Sequence, residues 1–344
     1  MRRPRILLLF SGGLDSLIAS RLLVELGARV EAVHFMTPFT GKESGLPGER
    51  YLGEWGISIR RTRISLHDYL PLLTSPPHGF GRALNACIDC KILFLREAKR
   101  IIESEGFDAA ATGEVLGERP MSQNRLSLDI IERESGLEGR LLRPLSATLL
   151  PSTEIETSGL IDRPRLLSIQ GRGRKPQLEL ASKWGITEFA TPSGGCLLTE
   201  PGYSRKLRDI LERPLELTDE QVALLKVGRH FRHPLGPKLI VGKNQNDNEE
   251  LLRHPDKSRV FLDVKEAGSP VGLLFLESFG DDLSQGLPEY PQANTVLLWA
   301  ASIVARYSDL KNEPEIKVTL CHNGVEKVIS VSPAQDVNIE KLRL

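Results

Sequence analysis

The stretch Ile6-Leu7-Leu8-Leu9-Phe10-Ser11-Gly12-Gly13-Leu14-Asp15-Ser16 constrains this chain more than any other. Five apolar residues run into Ser-Gly-Gly-x-Asp-Ser, and Leu17, Ile18, Leu22, Leu23 and Leu26 follow at helical spacing. The pattern predicts a buried strand, a tight glycine turn and a helix that begins on small hydroxyl residues. A turn of that kind lets backbone N–H groups close on a phosphate, and the helix dipole favours its negative charge. The Gly-Lys-Ser/Thr ending of a Walker A loop is absent, which excludes that type of phosphate loop.

At 344 residues the chain is long enough for two domains. Its net charge is zero, so any contact with nucleic acid has to come from local patches rather than a general basic field. The apolar runs are strand-sized and too short to cross a membrane. Met1-Arg2-Arg3-Pro4-Arg5 is basic, but the apolar run after it is short and no small-residue cleavage site follows. A cytoplasmic enzyme with no membrane partner is the expectation. Four cysteines (Cys87, Cys90, Cys196 and Cys321) are too few for a disulfide framework.

Further strand patterns follow the glycine turn at Arg29–Phe35, Gly56–Ile64 and Phe107–Gly113, with a helical pattern from Asp89 to Glu105. Strands alternating with helices predict an α/β, doubly wound parallel sheet, whose ligands sit outside the carboxyl ends of the strands. From about residue 140 to 212 the pattern turns to helices and loops, including Gly171-Arg172-Gly173-Arg174-Lys175-Pro176 and a helix from Gln177 to Trp184. The Pro- and Gly-rich stretch 191–196 puts Cys196 on a loop, which suits a reactive position. A boundary is expected near 215, with Thr218 capping the helix that opens at Asp219-Glu220. The division is therefore 1–215, catalytic, and 216–344, a smaller α+β domain. Strand patterns in the latter lie at 238–241, 259–262, 271–276, 315–320 and 326–331, with a helix at 293–307.

Cys87-Ile88-Asp89-Cys90 opens a helix, where the dipole is expected to lower a thiol pKa. Cys321 reads as a buried structural cysteine. A structural zinc site needs a fourth ligand, and neither a second Cys-x-x-Cys nor a His pair supplies one. Cys87, Cys90 and Cys196 fit a 4Fe-4S cluster with one open iron, which is the expectation; the alternative is a persulfide relay that resolves through a disulfide. Asp15 is either a group that orients the phosphate loop or its metal, or a helix N-cap.

The Ser11–Ser16 loop, the Cys87/Cys90 pair, Ala111-Thr112-Gly113-Glu114 and Gly194-Gly195-Cys196 together resemble the PP-loop ATP pyrophosphatases of the tRNA sulfurtransferase branch. Thr112 to Gln123 is similar to the 4-thiouridine synthases in particular, and the resemblance covers roughly residues 5–210. It implies ATP with Mg²⁺ on Ser11, Gly12, Gly13, Asp15 and Ser16, with His34 and Gly113 also at the nucleotide. It implies Cys87, Cys90 and Cys196 as sulfur carriers and cluster ligands, with Asp15 in a catalytic role. The implied reaction adenylates a uridine carbonyl of tRNA and replaces its oxygen with sulfur, drawn from sulfide or a cysteine desulfurase persulfide. Related enzymes often work as homodimers, although no stretch here reads as a dimer seam. The loop begins at residue 11, so the N-terminal RNA-binding domain of 4-thiouridine synthases is not expected, and neither is a rhodanese-like domain.

RNA contact is then sought elsewhere. Val241 to Leu252 is similar to the RNA-binding domain of the NFACT family. Residues 221–260 carry eight Lys/Arg against four Asp/Glu, a surplus of four that suggests a phosphate-facing surface, with Arg229, Arg232 and Lys243 as candidates. Arg172, Arg174 and Lys175 form a second basic cluster, facing either RNA or the ATP phosphates. Arg60, Arg61 and Arg63 are expected to lie on a strand as surface charge. Two rival readings remain: a PP-loop adenylating enzyme or ligase with a non-RNA substrate, and an RNA-binding protein whose loop is structural.

Overall fold

The computed structural model describes residues 2–40, 45–190, 195–213, 217–276 and 291–344. Two compact units are present, Met1–Ser204 and Arg205–Leu344. The boundary expected between 215 and 216 lies outside the described residues, as do residues 191–194 of the Cys196 stretch.

The first unit begins β1 (Arg5–Leu9), α1 (Leu14–Glu25), β2 (Arg29–Met36), α2 (Glu49–Glu54), β3 (Ser58–Arg63) and α3 (Leu66–Thr74). It continues α4 (Cys87–Glu105), β4 (Ala109–Thr112), α5 (Arg125–Ser135), β5 (Leu141–Leu142), α6 (Glu154–Thr157) and α7 (Lys175–Lys183), and α8 (Pro201–Leu211) contains the division. The five strands make one parallel sheet in the order β3-β2-β1-β4-β5. β1 is central and covered on both faces, which is why it reads as an unbroken apolar run. β4 is built of Ala109-Ala110-Ala111-Thr112, all buried, and its small side chains let helices approach closely. Leu8, Leu14, Leu17, Ala111 and Leu142 belong to one apolar core. α4 stops at Gly106, whose φ of 70° is the left-handed conformation that ends helices.

Of the expected strand arginines, Arg60 and Arg61 are ion-paired. Arg60 bonds Glu31 and Glu105, and Arg61 bonds Glu49 at 2.6 Å.

The second unit contains α9 (Asp219–Leu224), β6 (Arg229–Arg232), β7 (Lys238–Val241), α10 (Gln245–Leu252), β8 (Arg259–Asp263), β9 (Gly272–Phe275), α11 (Pro291–Arg306), β10 (Ile316–His322), β11 (Val325–Val331) and α12 (Asp336–Leu342). Its sheet is antiparallel, in the order β11-β10-β8-β9-β7-β6. α11 packs Val296, Ala300, Ala301 and Val304 on a core that includes Val241, Val260 and Leu320. Thr218 caps α9, accepting from the Gln221 N–H at 3.2 Å while Gln221 reaches back to the Thr218 N–H. Cys321 lies on β10, half-buried rather than buried as expected. Among the described residues no helix is long and apolar enough to cross a membrane.

Candidate functional site

β1 ends at Leu9, and the chain turns through Phe10 to Gly13 into α1. Gly12 has a φ of +75°, so a side chain there is strained, and a Cβ would also stand 3.1 Å from the Pro47 carbonyl oxygen. The turn is held from within: the Gly13 N–H donates to Ser11 Oγ at 3.3 Å, and Ser16 Oγ donates to the Gly13 carbonyl at 2.8 Å. Gly13 is the N-cap and no side chain caps α1, so the helix dipole opens toward the exposed Ser11. Asp15 therefore sits in the first turn of α1 rather than at the cap.

Two neighbouring strands deliver residues to the same edge. Gly113, just past β4, lies so near α1 that an added Cβ would be 2.6 Å from the Ser16 nitrogen. His34, buried on β2, places Nδ1 2.9 Å from the Phe10 carbonyl oxygen. A carbonyl only accepts, so Nδ1 carries the hydrogen and Nε2 is left as a buried acceptor without a partner. Burial lowers the His34 pKa and keeps the ring neutral.

Asp15 has one buried oxygen, Oδ1, without a hydrogen-bond partner. Burial raises its pKa, with Arg174, Gln177 and Arg119 facing it and pulling the other way. Glu118 is raised likewise, by burial and by the Asp15 charge. Of the basic run before α7, Arg174 is the member turned toward Asp15, whereas Arg172 and Lys175 are exposed.

Cys87 and Cys90 lie in the first turns of α4, and Cys196 sits beside Thr40 in an isolated antiparallel bridge. The helix runs back against the strands, which puts its N-terminus at the carboxyl edge of the sheet, where the glycine turn lies. The three sulfurs are close enough to interact electrostatically. Asn85 Nδ2 donates to Cys87 Sγ at 3.1 Å, and the Tyr69 hydroxyl bonds Cys90. Phe39 stands between Tyr69 and Tyr203, with centroids at 5.2 and 6.5 Å, and the Tyr203 hydroxyl is buried without a partner. Lys91, next to Cys90, forms an ion pair with Glu114, which Arg143 also holds at 3.0 Å. Burial opposes the Glu114 charge, but Lys91 and Arg143 outweigh it and hold that carboxyl at about 2.

The lowered thiol expected from the helix start does not hold for Cys90. Burial, with Cys196 and Cys87 nearby, pushes it up to about 12 against the Tyr69 hydrogen bond. Burial also pushes Cys196 up, although the Leu198 and Thr199 N–H groups face its sulfur. A helix end contributes on the order of 1 kcal/mol, and desolvating a thiolate among other sulfurs exceeds that.

The donor set fits a cluster: three soft thiols from two segments of the chain gather beside the rings of Tyr69 and Tyr203. Among the described residues no three His, Cys, Asp or Glu side chains are placed to share a single metal ion. A 4Fe-4S cluster differs in that its irons take the thiolates separately.

In the second unit, Arg229 lies 4.5 Å over the Tyr307 ring and donates to the Gly242 carbonyl at 3.0 Å. Arg232 pairs with Asp209, its Nε at 2.9 Å from Oδ1. Lys243 is exposed. The sequence offered no signal for Tyr69, Tyr203 or Gln177, whose roles arise only from long-range packing; Glu114 and Glu118 lie inside the stretch that carries the family resemblance.

Residues 3–149 match the family model described as thiamine biosynthesis protein (ThiI), and residues 228–343 match that of the NFACT protein RNA binding domain. The chain thus carries a ThiI-type domain followed by an NFACT-type one, the first match ending at residue 149, short of the 210 that the resemblance was expected to reach and of Cys196. A probable tRNA sulfurtransferase of Finegoldia magna is 32% identical over 145 residues, 41% of this chain and 36% of that protein. One from Brevibacillus brevis is 30% identical over 149 residues, 42% of this chain and 35% of that protein. The chain therefore spans about a third of the length of these relatives. Among solved structures, the U34-tRNA thiolase NcsA from Methanococcus maripaludis with its 4Fe-4S cluster is 17% identical, covering 66% of this chain and 74% of that one. Its TM-score of 0.30 is too low to carry residues across.

Proposed function

We propose that the chain is an ATP-dependent tRNA sulfurtransferase that adenylates a uridine carbonyl and exchanges its oxygen for sulfur. One observation carries this reading: cysteines more than a hundred residues apart in sequence meet beside the strand edge that holds the Ser-Gly-Gly-x-Asp-Ser turn. A ligase with a small substrate needs that turn but has no use for the three sulfurs.

The turn holds the ATP phosphates on the backbone of Gly12 and Gly13 and the hydroxyls of Ser11 and Ser16, with Mg²⁺ offsetting charge. The uridine carbonyl oxygen attacks the α-phosphate, an O–P bond forms and pyrophosphate leaves with the electron pair of the broken bond. Sulfide held at the site that Cys87, Cys90 and Cys196 form then adds to the activated carbon as the nucleophile and gives up its protons, and AMP departs with the former carbonyl oxygen and the electron pair of the broken C–O bond. AMP is a good leaving group where oxide is not, so the ATP step has to come first. The three thiolates would hold a 4Fe-4S cluster, which when bound supplies an iron position open to sulfide. Tyr69, Tyr203 and Phe39 wall the pocket and keep water from the sulfur. The NFACT-type unit holds the tRNA.

Anaerobic purification with iron and acid-labile sulfide analysis tests the reading, alongside thiolation of tRNA and release of AMP and pyrophosphate. Near four irons per chain is the expected content in the wild type. Cys87→Ala, Cys90→Ala and Cys196→Ala should each lose iron and thiolation while keeping ATP binding. An iron-free protein that still thiolates leaves the persulfide relay; ATP turnover that survives all three substitutions without sulfur transfer favours the ligase.

A further inference from the structure

Two loops converge on Asp15. The one after β4 runs through Leu116, Gly117 and Glu118, and the one before α7 through Gln170 to Arg174. They run side by side: Leu116 and Gln170 form an isolated parallel bridge, and the Gly171 N–H donates to the Leu116 carbonyl at 2.7 Å. Gly117 and Gly171 face each other with φ of +79° and +82°, and a Cβ on Gly117 would be 3.4 Å from the Gly171 nitrogen. The Ser146 hydroxyl fastens both loops, accepting from the Leu116 N–H at 2.9 Å and donating to the Ile169 carbonyl at 2.6 Å. The pairing sets Glu118 and Arg174 beside Asp15, and α7, packed on α1, brings Gln177 in as the third neighbour.

These four side chains hold buried polar atoms that no close hydrogen bond satisfies: Asp15 Oδ1, Glu118 Oε2, Arg174 Nε and Gln177 Oε1, while the Gln177 amide nitrogen has only a loose contact with the Asp15 carboxylate. Gln177 is fully buried, at 0% exposure, on a helix whose neighbouring positions Lys175, Pro176 and Leu178 are exposed. Buried polar atoms are normally satisfied, and an orphaned one costs about 1–3 kcal/mol. Such atoms gathered around Asp15 mark a place built for something polar. Two carboxylates beside one another call for a cation of more than single charge, while the guanidinium and the amide call for an anion.

Building on the ATP reading above, we propose that Glu118, Arg174 and Gln177 complete, with Asp15, the seat for the metal–pyrophosphate end of the nucleotide. The carboxylates face the divalent cation, and the Arg174 guanidinium and the Gln177 amide face the phosphates. Before the nucleotide arrives Arg174 and Arg119 offset the two carboxylates; a magnesium triphosphate supplies a partner to each group. Arg174 thereby parts from Arg172 and Lys175, which stay exposed to solvent, Lys175 beside Glu179. The pocket grips the pyrophosphate that leaves, which is where negative charge builds as the uridine oxygen attacks.

The test is calorimetric binding to the full chain of magnesium α,β-methylene-ATP, which cannot turn over, and of AMP, which lacks the pyrophosphate. Arg174→Ala should weaken the triphosphate analogue on the order of 10- to 100-fold, and Arg174→Lys should recover only part of that. Glu118→Gln should raise the Mg²⁺ concentration for half-maximal analogue binding roughly tenfold. AMP affinity should stay within about twofold in all three, which a folding defect would not allow. Arg174→Ala with wild-type analogue affinity overturns the inference, and so does an equal loss for AMP and analogue. A wild type that binds neither nucleotide sinks the ATP reading itself.

Discussion

A Cβ built on Gly113 would stand 2.5 Å from the carbonyl carbon of Asp15, closer than any real side chain approaches a backbone. The end of β4 and the first turn of α1 are therefore in direct backbone contact, and the proposed phosphate turn has its shape only because position 113 carries no side chain.

Gly113→Ala should accordingly push α1 away from β4 and weaken ATP binding at least about tenfold, with a loss of stability of roughly 1–3 kcal/mol from overpacking. Gly53→Ala is the matched comparison. Gly53 lies inside α2 with nothing within 4 Å of an added Cβ, so alanine there should stabilise by about 0.5–1 kcal/mol and leave ATP binding alone. Thermal melts and ATP titrations of the two variants separate steric blockage from a general glycine effect. Equal nucleotide affinity in both would remove Gly113 from the site.

The architecture of the first unit was legible because its signals are local. An unbroken apolar run marks a central parallel strand, a glycine turn marks its end, and Cys87-x-x-Cys90 falls at a helix start. The environment of those cysteines was not legible. Tyr69 stands beside Cys90 and Tyr203 near Cys196, and Phe39, far from Tyr203 in sequence, packs against both rings, so the burial that overrides the helix dipole comes from tertiary packing that a sequence window does not show. The run Arg172–Lys175 is a similar case: sequence makes its three cations equivalent, and the start of α7 turns one of them inward. β6 was missed because Arg229-His230-Phe231-Arg232 has no apolar alternation, its buried His230 being neutral inside the sheet.

Lys238 on β7 offers a pH test of the second unit. It is buried beside Asp209 at 3.8 Å, but Asp209 is already bonded to Arg232. Burial, with Arg232, Lys206 and Arg213 adding to it and Asp209 opposing, lowers the Lys238 pKa to about 7. The unfolded chain holds that proton up to a pH of about 10.4, so between about 7 and 10 it binds more protons than the folded chain. Stability from this group therefore rises with pH across that window, and the penalty for burying the charge is complete below it. Lys238→Met, of similar length and uncharged, should be more stable than wild type at pH 6 by about 1 kcal/mol or more, with the difference shrinking toward pH 9. Denaturant titrations of both proteins at each pH read that difference directly. An advantage for methionine that grows with pH would contradict the assignment.

The basic residues proposed for RNA divide by what they already do. Lys243 is exposed, whereas Arg229 lies over Tyr307 and bonds the Gly242 carbonyl, and Arg232 is bonded to Asp209. An exposed lysine that meets a phosphate releases about one counterion, so Lys243→Ala should lower the slope of log affinity against log salt for tRNA by about 1 at unchanged stability. Arg232→Ala strips a buried carboxylate of its closest partner and should cost on the order of 3 kcal/mol, so any RNA defect it shows comes with lost folding. Arg229→Ala should fall between them, losing the ring contact and a backbone hydrogen bond for about 1–2 kcal/mol. Filter binding across a salt series, paired with denaturation of the same preparations, sorts the three. If Lys243→Ala leaves the slope untouched while Arg229→Ala, folded like wild type, lowers it, the phosphate-facing surface lies on the Tyr307 side of β6 instead.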